Sequence, residues 1–232
     1  MQILLTNDDG IDAEGLQSLA RELSGVGKVI IVAPARGCSC CGHSVTTASP
    51  LVVREVREDQ FAVEGWPADC VRVAIHHLKL EPDWVLSGIN HGGNLGVDIL
   101  MSGTVAAARE ASLHGLRALA ISQYRKPSVN VSWHVAAKRA HQVFRSIANQ
   151  PLAERRFWNA NLPSIPDDAL LLDPIACEAD REPFNYRLTP SETGLIYQSN
   201  YQTRPHAMNT DVFHCFAGHA TITELSAAQK LL

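Results

Sequence analysis

The chain of 232 residues is long enough for one large α/β domain with a sizeable core. Its 46% hydrophobic and 19% charged residues and net charge of −4 are those of a soluble globular protein. That balance argues against a nucleic-acid duplex or an anionic membrane as the main partner, since both reward clustered Lys and Arg.

No apolar run approaches the ~20 residues of a membrane-spanning helix. Asn7, Asp8 and Asp9 cut short the first apolar stretch, which is unlike a signal peptide, so a cytoplasmic location is expected. In that compartment Cys38, Cys40, Cys41, Cys70, Cys177 and Cys215 are expected to be free thiols.

Gln2 to Thr6 is a short apolar run that stops at Asn7-Asp8-Asp9-Gly10, a buried strand ending in a polar turn. Residues 13–24 place Leu16, Leu19, Ala20 and Leu23 on one helical stripe. Lys28 to Ala33 is a second strand, completing a βαβ unit. Two hairpin-like runs, Leu51–Val56 and Gln60–Glu64, follow. Residues 67–80 read as a helix, Trp84–Ser87 as a strand, Thr104–His114 as an Ala-rich helix, Ala118–Ser122 as a strand and residues 131–149 as a longer helix. The scheme predicts a doubly wound, mostly parallel sheet. Beyond it, prolines punctuate the chain, with β-like pieces near 170–173 and 195–198. The expected division is a Rossmann-like domain over 1–165 and an irregular β-rich extension over 166–232.

Ligands of open α/β sheets bind outside the carboxyl ends of the strands, where three polar clusters fall. Asp8 and Asp9 follow the first strand; adjacent carboxylates suit a hard divalent ion, or else a solvated turn or helix cap. The second cluster, Ala35 to Ser44, is rich in small residues. Its Cys38, Cys40, Cys41 and His43 lack the second ligand pair of a structural zinc site. The third runs from Ser87-Gly88-Ile89-Asn90 through Gly96 to Ser102-Gly103-Thr104. Its glycines permit close backbone approach, and the following helix offers free N–H groups to an anion. Ser102 or Thr104 also suits an ordinary N-cap. The cluster contains neither a Walker A loop nor a GxGxxG fingerprint, and the absence of GxGxxG after the first strand disfavours a nicotinamide-dependent enzyme.

Together, ILLTNDDGIDAEG at 3–15, VAPARGCS at 32–39, GWPADCV at 65–71 and SGINHGGNLGVDILMSGTVAAAREA at 87–111 resemble the SurE family of 5′/3′-nucleotidases. The resemblance is strong over residues 1–122 and weaker at Asn159–Pro163 and Thr210–Asp211. It implies a Rossmann-like domain with a C-terminal extension used in oligomer formation, hence a homodimer or homotetramer. It also implies hydrolysis of nucleoside 5′- and 3′-monophosphates, with polyphosphate a further substrate of some members. Carried over by position, one Mg²⁺ or Mn²⁺ per subunit would be held by Asp8, Asp9, Ser39 and Asn90. Asn94, Ser102, Gly103 and Thr104 would hold the phosphate, and Asp8 or Asp9 would orient the attacking water.

The chain departs from the family pattern at Ala35, where Asp is usual, at Cys40, Cys41 and His43, and at Met101, where an aromatic is usual. A competing expectation is therefore a nucleotide-binding protein that keeps the site with little turnover.

Overall fold

A computed structural model describes residues 1–228. The apolar runs become β1 (Gln2–Thr6), β2 (Lys28–Pro34), β5 (Trp84–His91) and β6 (Ala118–Gln123). A hairpin, β3 (Val53–Arg57) and β4 (Gln60–Val63), adds itself to the edge beside β2. With β7 (Arg156–Leu162), β8 (Ile175–Ala176) and β11 (Thr221–Ser226), they form one sheet ordered β3-β4-β2-β1-β5-β6-β7-β11-β8. Strands β4 through β7 in that order pair in parallel, whereas β3 and β11 run antiparallel to their neighbours β4 and β7.

Both faces are covered, which is why the central strands are continuously apolar. Ile3 and Leu5 face α1 (Glu14–Leu23) and α4 (Trp133–Ile147), while Leu4 faces α2 (Pro67–Arg72) and α3 (Gly103–Leu113). The stripe on α1 packs as expected, with Leu16, Leu19 and Leu23 buried. After α2 the helix continues as a π-helical turn over Val73–His77. The α/β doubly wound fold expected from the sequence is the fold observed. The chain leaves β1 for β2 on one side and later returns to β5 on the other, so the switch point lies between β1 and β5.

The C-terminal segment differs in detail. Strands from both sides of residue 165 share the main sheet, because β8 and β11 join it beyond β7. The piece expected at 170–173 is irregular, with β8 beginning only after Pro174. A separate antiparallel hairpin, β9 (Tyr186–Ser191) and β10 (Gly194–Ser199), stands out with Tyr186, Leu188, Leu195, Ile196 and Tyr197 exposed. A short helix, α5 (Asp211–Phe216), precedes β11. The expected extension ran to residue 232, and its last residues, 229–232, lie outside those described. Among the described residues, no helix is long and apolar enough to cross a membrane.

Candidate active site

The site forms where β1, β2 and β5 end. After β1, the Asn7 amide donates to Gly10 O at 2.8 Å and accepts from Gly10 N at 3.2 Å, closing a turn that presents Asp8 and Asp9. Asp8 is only 7% exposed. Its Oδ1 accepts the Thr104 hydroxyl, so the carboxylate sits against the first turn of α3. Burial raises its pKa to about 6; Thr104 works against the shift and the charge of Asp9 adds to it.

Asp9 is half-buried, and its Oδ2 accepts the backbone N–H of His91 at 2.9 Å. That bond joins the end of β1 to the end of β5. The strand β5 reaches His91 where the sequence suggested a glycine-rich turn from Ser87 onward, with a register shift against β6 between Ser87 and Asn90. Gly88 makes the close pairing possible: a β-carbon there would stand 2.3 Å from Ile121 O. Asn90 donates its amide to Gly92 O at 2.9 Å. Ser39 is exposed at a turn in the loop after β2, and its neighbour Cys38 donates its N–H to Asp8 O at 2.8 Å.

The phosphate candidates divide. Gly103 lies in contact with Asp8 and Cys41. Thr104 has its hydroxyl committed to Asp8. Ser102 is the N-cap of α3, its Oγ accepting Val105 N at 3.1 Å. Asn94 is buried in a polar network instead: its N–H donates to Asn161 Oδ1 at 2.8 Å, its amide donates to Ser122 Oγ at 2.7 Å, and its carbonyl accepts from Asn159 and Asn161. Sequence reading passed over Asn161 and Ser122 as site supports. The only signal for Asn161 was the weak match at Asn159–Pro163, because its partner on the Gly-rich segment is far away in sequence.

Neither Asp8 nor Asp9 has a Lys, Arg or His ion-pair partner among the described residues. A buried carboxylate beside a second one, with no cation, is an expensive arrangement that a metal ion relieves. Asp9 Oδ1 and Asn90 Oδ1 also accept no hydrogen bond among the described residues. Carboxylate, amide and hydroxyl oxygens together suit Mg²⁺ or Mn²⁺ rather than a softer ion. The donor set therefore fits the expected group.

The model of the family described as survival protein SurE matches residues 3–178. The chain belongs to the SurE family. It is 42% identical over 227 residues to a putative 5′-nucleotidase of Nostoc sp., covering 97% of this chain and 99% of that one. It is 46% identical over 173 residues to the 5′-nucleotidase SurE of Pelobacter propionicus, covering 73% of this chain and 69% of the relative. The crystal structure of a SurE protein from Aquifex aeolicus superposes with a TM-score of 0.88 at 29% identity, covering 99% of this chain and 95% of the other. The SurE family match spans β1 through β8, so all three strand ends of the site lie within it.

Proposed function

We propose that this SurE family member is a divalent-metal-dependent phosphatase that hydrolyses nucleoside 5′- and 3′-monophosphates to nucleoside and phosphate. The observation that carries the reading is the buried Asp8 carboxylate, beside Asp9, with no Lys, Arg or His paired to it among the described residues, and against the N-terminus of an eleven-residue helix. The relatives named as 5′-nucleotidases support the substrate class.

Asp8, Asp9, Ser39 and Asn90 would hold one Mg²⁺ or Mn²⁺. When bound, the ion supplies Lewis acidity toward a phosphoryl oxygen and lowers the pKa of water. The chain's own groups do the rest. Asp8 or Asp9 orients the attacking water. The first turn of α3, at Gly103 and Thr104, offers partial positive charge to the phosphoryl oxygens, where charge accumulates during transfer, with the Thr104 backbone and hydroxyl also facing Asp8. Asn94 and Ser102 would hold the phosphate with Gly103 and Thr104. An open cavity of about 750 Å³ lined by Ala35, Gly37, Cys38 and Trp66 adjoins the Ser39 loop, a size that accommodates a nucleoside.

The exposed apolar hairpin β9–β10 supports a homodimer or homotetramer, since such a surface calls for a partner. A cytoplasmic location agrees with free thiols at all six cysteines. A second reading, binding with little turnover, rests on Ala35, which puts a methyl group where the family pattern has a carboxylate. Phosphate release from AMP and GMP, and from 3′-AMP, measured with EDTA and then with Mn²⁺ or Mg²⁺ restored, tests both. Release that depends on the ion is expected. Full activity in metal-free protein would overturn the metal, and no release with either ion would leave the binding reading.

A further inference from the structure

The loop that carries Ser39 spans residues 35–52 and contains neither helix nor strand. A segment of that kind holds a ligand in place only if something outside the loop fixes it. Its approach is fixed at Cys38, whose N–H reaches Asp8 O, and its exit at Thr46, whose N–H and hydroxyl reach Asp69. Between those points, among the described residues, the hydrogen bonds that leave the loop come from two positions. Gly42 N donates to Met101 O at 2.9 Å. The ring of His43 makes the others, to α3.

His43 Nε2 lies 2.7 Å from Glu110 Oε2, and Arg109 Nη1 lies 3.4 Å from His43 Nδ1. Arginine can only donate, so Nδ1 accepts and Nε2 carries the proton given to Glu110. The ring is thus oriented from both sides. Glu110 itself is 3% exposed and also accepts from Arg72 Nε at 2.6 Å and His114 Nε2 at 3.1 Å. Arg72 belongs to α2 and His114 follows α3, so the carboxylate joins the two helices whether or not the loop is attached. His43 is an added connection from loop to helix. Because α3 also presents Gly103 and Thr104 to Asp8, the same rigid helix locates the phosphate end and, through His43, the Ser39 end.

We infer that His43 is a positioning residue: its Nε2–H bond to Glu110 holds Ser39 in register with Asp8 and Asp9 for cation binding. The inference rests on the metal reading above. Losing His43 leaves Glu110 paired with Arg72 and His114, so folding should survive while the loop loosens. That separates the role from a structural one.

The test is Mn²⁺ affinity measured by calorimetry on the full chain without nucleotide, with melting temperature alongside. His43→Phe keeps an aromatic ring and removes the donor; His43→Gln restores a donor. A hydrogen bond to a charged group corresponds to roughly tenfold in affinity. His43→Phe should weaken Mn²⁺ binding by about that factor, with His43→Gln recovering most of it and neither shifting the melting temperature by more than a few degrees. The same split should appear in kinetics as a higher Mn²⁺ requirement with an unchanged kcat at saturating metal. Wild-type affinity in His43→Phe, or His43→Gln no better than His43→Phe, would overturn the inference. Asp8→Asn serves as the control: if it retains Mn²⁺ affinity, or wild type has none, the metal reading falls and this inference with it.

Discussion

Gly103 lies directly against Asp8: a β-carbon on Gly103 would stand 2.8 Å from Asp8 Cβ, 3.0 Å from Asp8 Oδ2 and 2.6 Å from Cys41 Sγ. The metal end and the phosphate end of the candidate site therefore share a wall. Two of those three atoms belong to the buried side chain of Asp8, which Thr104 holds by a hydrogen bond.

Gly103→Val is accordingly expected to damage both functions together. Phosphate inhibition and Mn²⁺ affinity should each weaken by roughly 5- to 150-fold, since overpacking of this kind displaces neighbours at a penalty of roughly 1–3 kcal/mol. Titrating Mn²⁺ and inorganic phosphate separately against the folded variant checks this. Unchanged Mn²⁺ affinity would show that Asp8 does not meet the new side chain.

Asp8 also sets a pH dependence for metal-free protein. Its folded pKa of about 6 exceeds the ordinary 3.8, so the folded state binds the proton more tightly. Stability is then highest below the ordinary value and falls as pH rises between 3.8 and about 6. The full effect is on the order of 3 kcal/mol at 1.4 kcal/mol per pKa unit. Asp8→Asn should remove it, raising the melting temperature of metal-free protein at pH 8 while lowering phosphatase rate at least ~10²-fold. Denaturant titrations at pH 5 and pH 8, both in EDTA, provide the measurement. A variant no more stable than wild type at pH 8 would refute the strained-carboxylate account.

Glu110 works in the opposite direction. Burial favours its neutral form, but bonds from His43, Arg72 and His114 outweigh burial and hold its pKa at about 2, below the usual 4.5. Its contribution to stability is present above 4.5 and is lost as pH falls toward about 2. Glu110→Gln should destabilise by roughly 3 kcal/mol at neutral pH, because it leaves Arg72 and the imidazoles facing a neutral group. It should also flatten the acid limb of the stability profile below pH 4.5. An acid limb as steep as that of wild type would assign the acid sensitivity to other carboxylates.

How much of this was legible in the sequence depends on what each residue faces. The strands β1, β2 and β6 were readable because their side chains are apolar on both faces, and Asp8-Asp9 because a polar turn ends the first of them. The strand β7 was not, since RFWNANL alternates apolar residues with Asn159 and Asn161, which look like loop residues until their partner is known. Similarly, Thr221 and Thr223 of β11 are buried hydroxyls in a short segment with no apolar stripe. Ser102 was correctly open to a cap, because Ser before a helix satisfies its free N–H groups in any context. What stayed hidden is the link between His43 and Glu110, since no local pattern pairs a loop histidine with a residue in the middle of a distant helix.

The Asn94 network permits a test that separates ligand from support. Asn94 is a phosphate candidate by resemblance, yet its backbone N–H and carbonyl are held by Asn161, and only its side-chain amide is bonded to Ser122. Asn94→Ala removes that amide and leaves the backbone bonds in place, for a stability loss of about 1 kcal/mol. Asn161→Ala removes the partner of a buried N–H, which should destabilise by roughly 1–3 kcal/mol. If Asn94 touches phosphate, Asn94→Ala should raise the inhibition constant of inorganic phosphate about tenfold despite its mild stability effect, since a hydrogen bond to a charged group is worth that much. Asn161→Ala should then show the reverse ranking, with the larger drop in melting temperature and the smaller change in phosphate affinity. Melting curves and phosphate inhibition on both variants decide the matter. If the two properties fall in parallel in both, Asn94 acts as a structural post for the Gly-rich segment, and the phosphate is held by α3 alone.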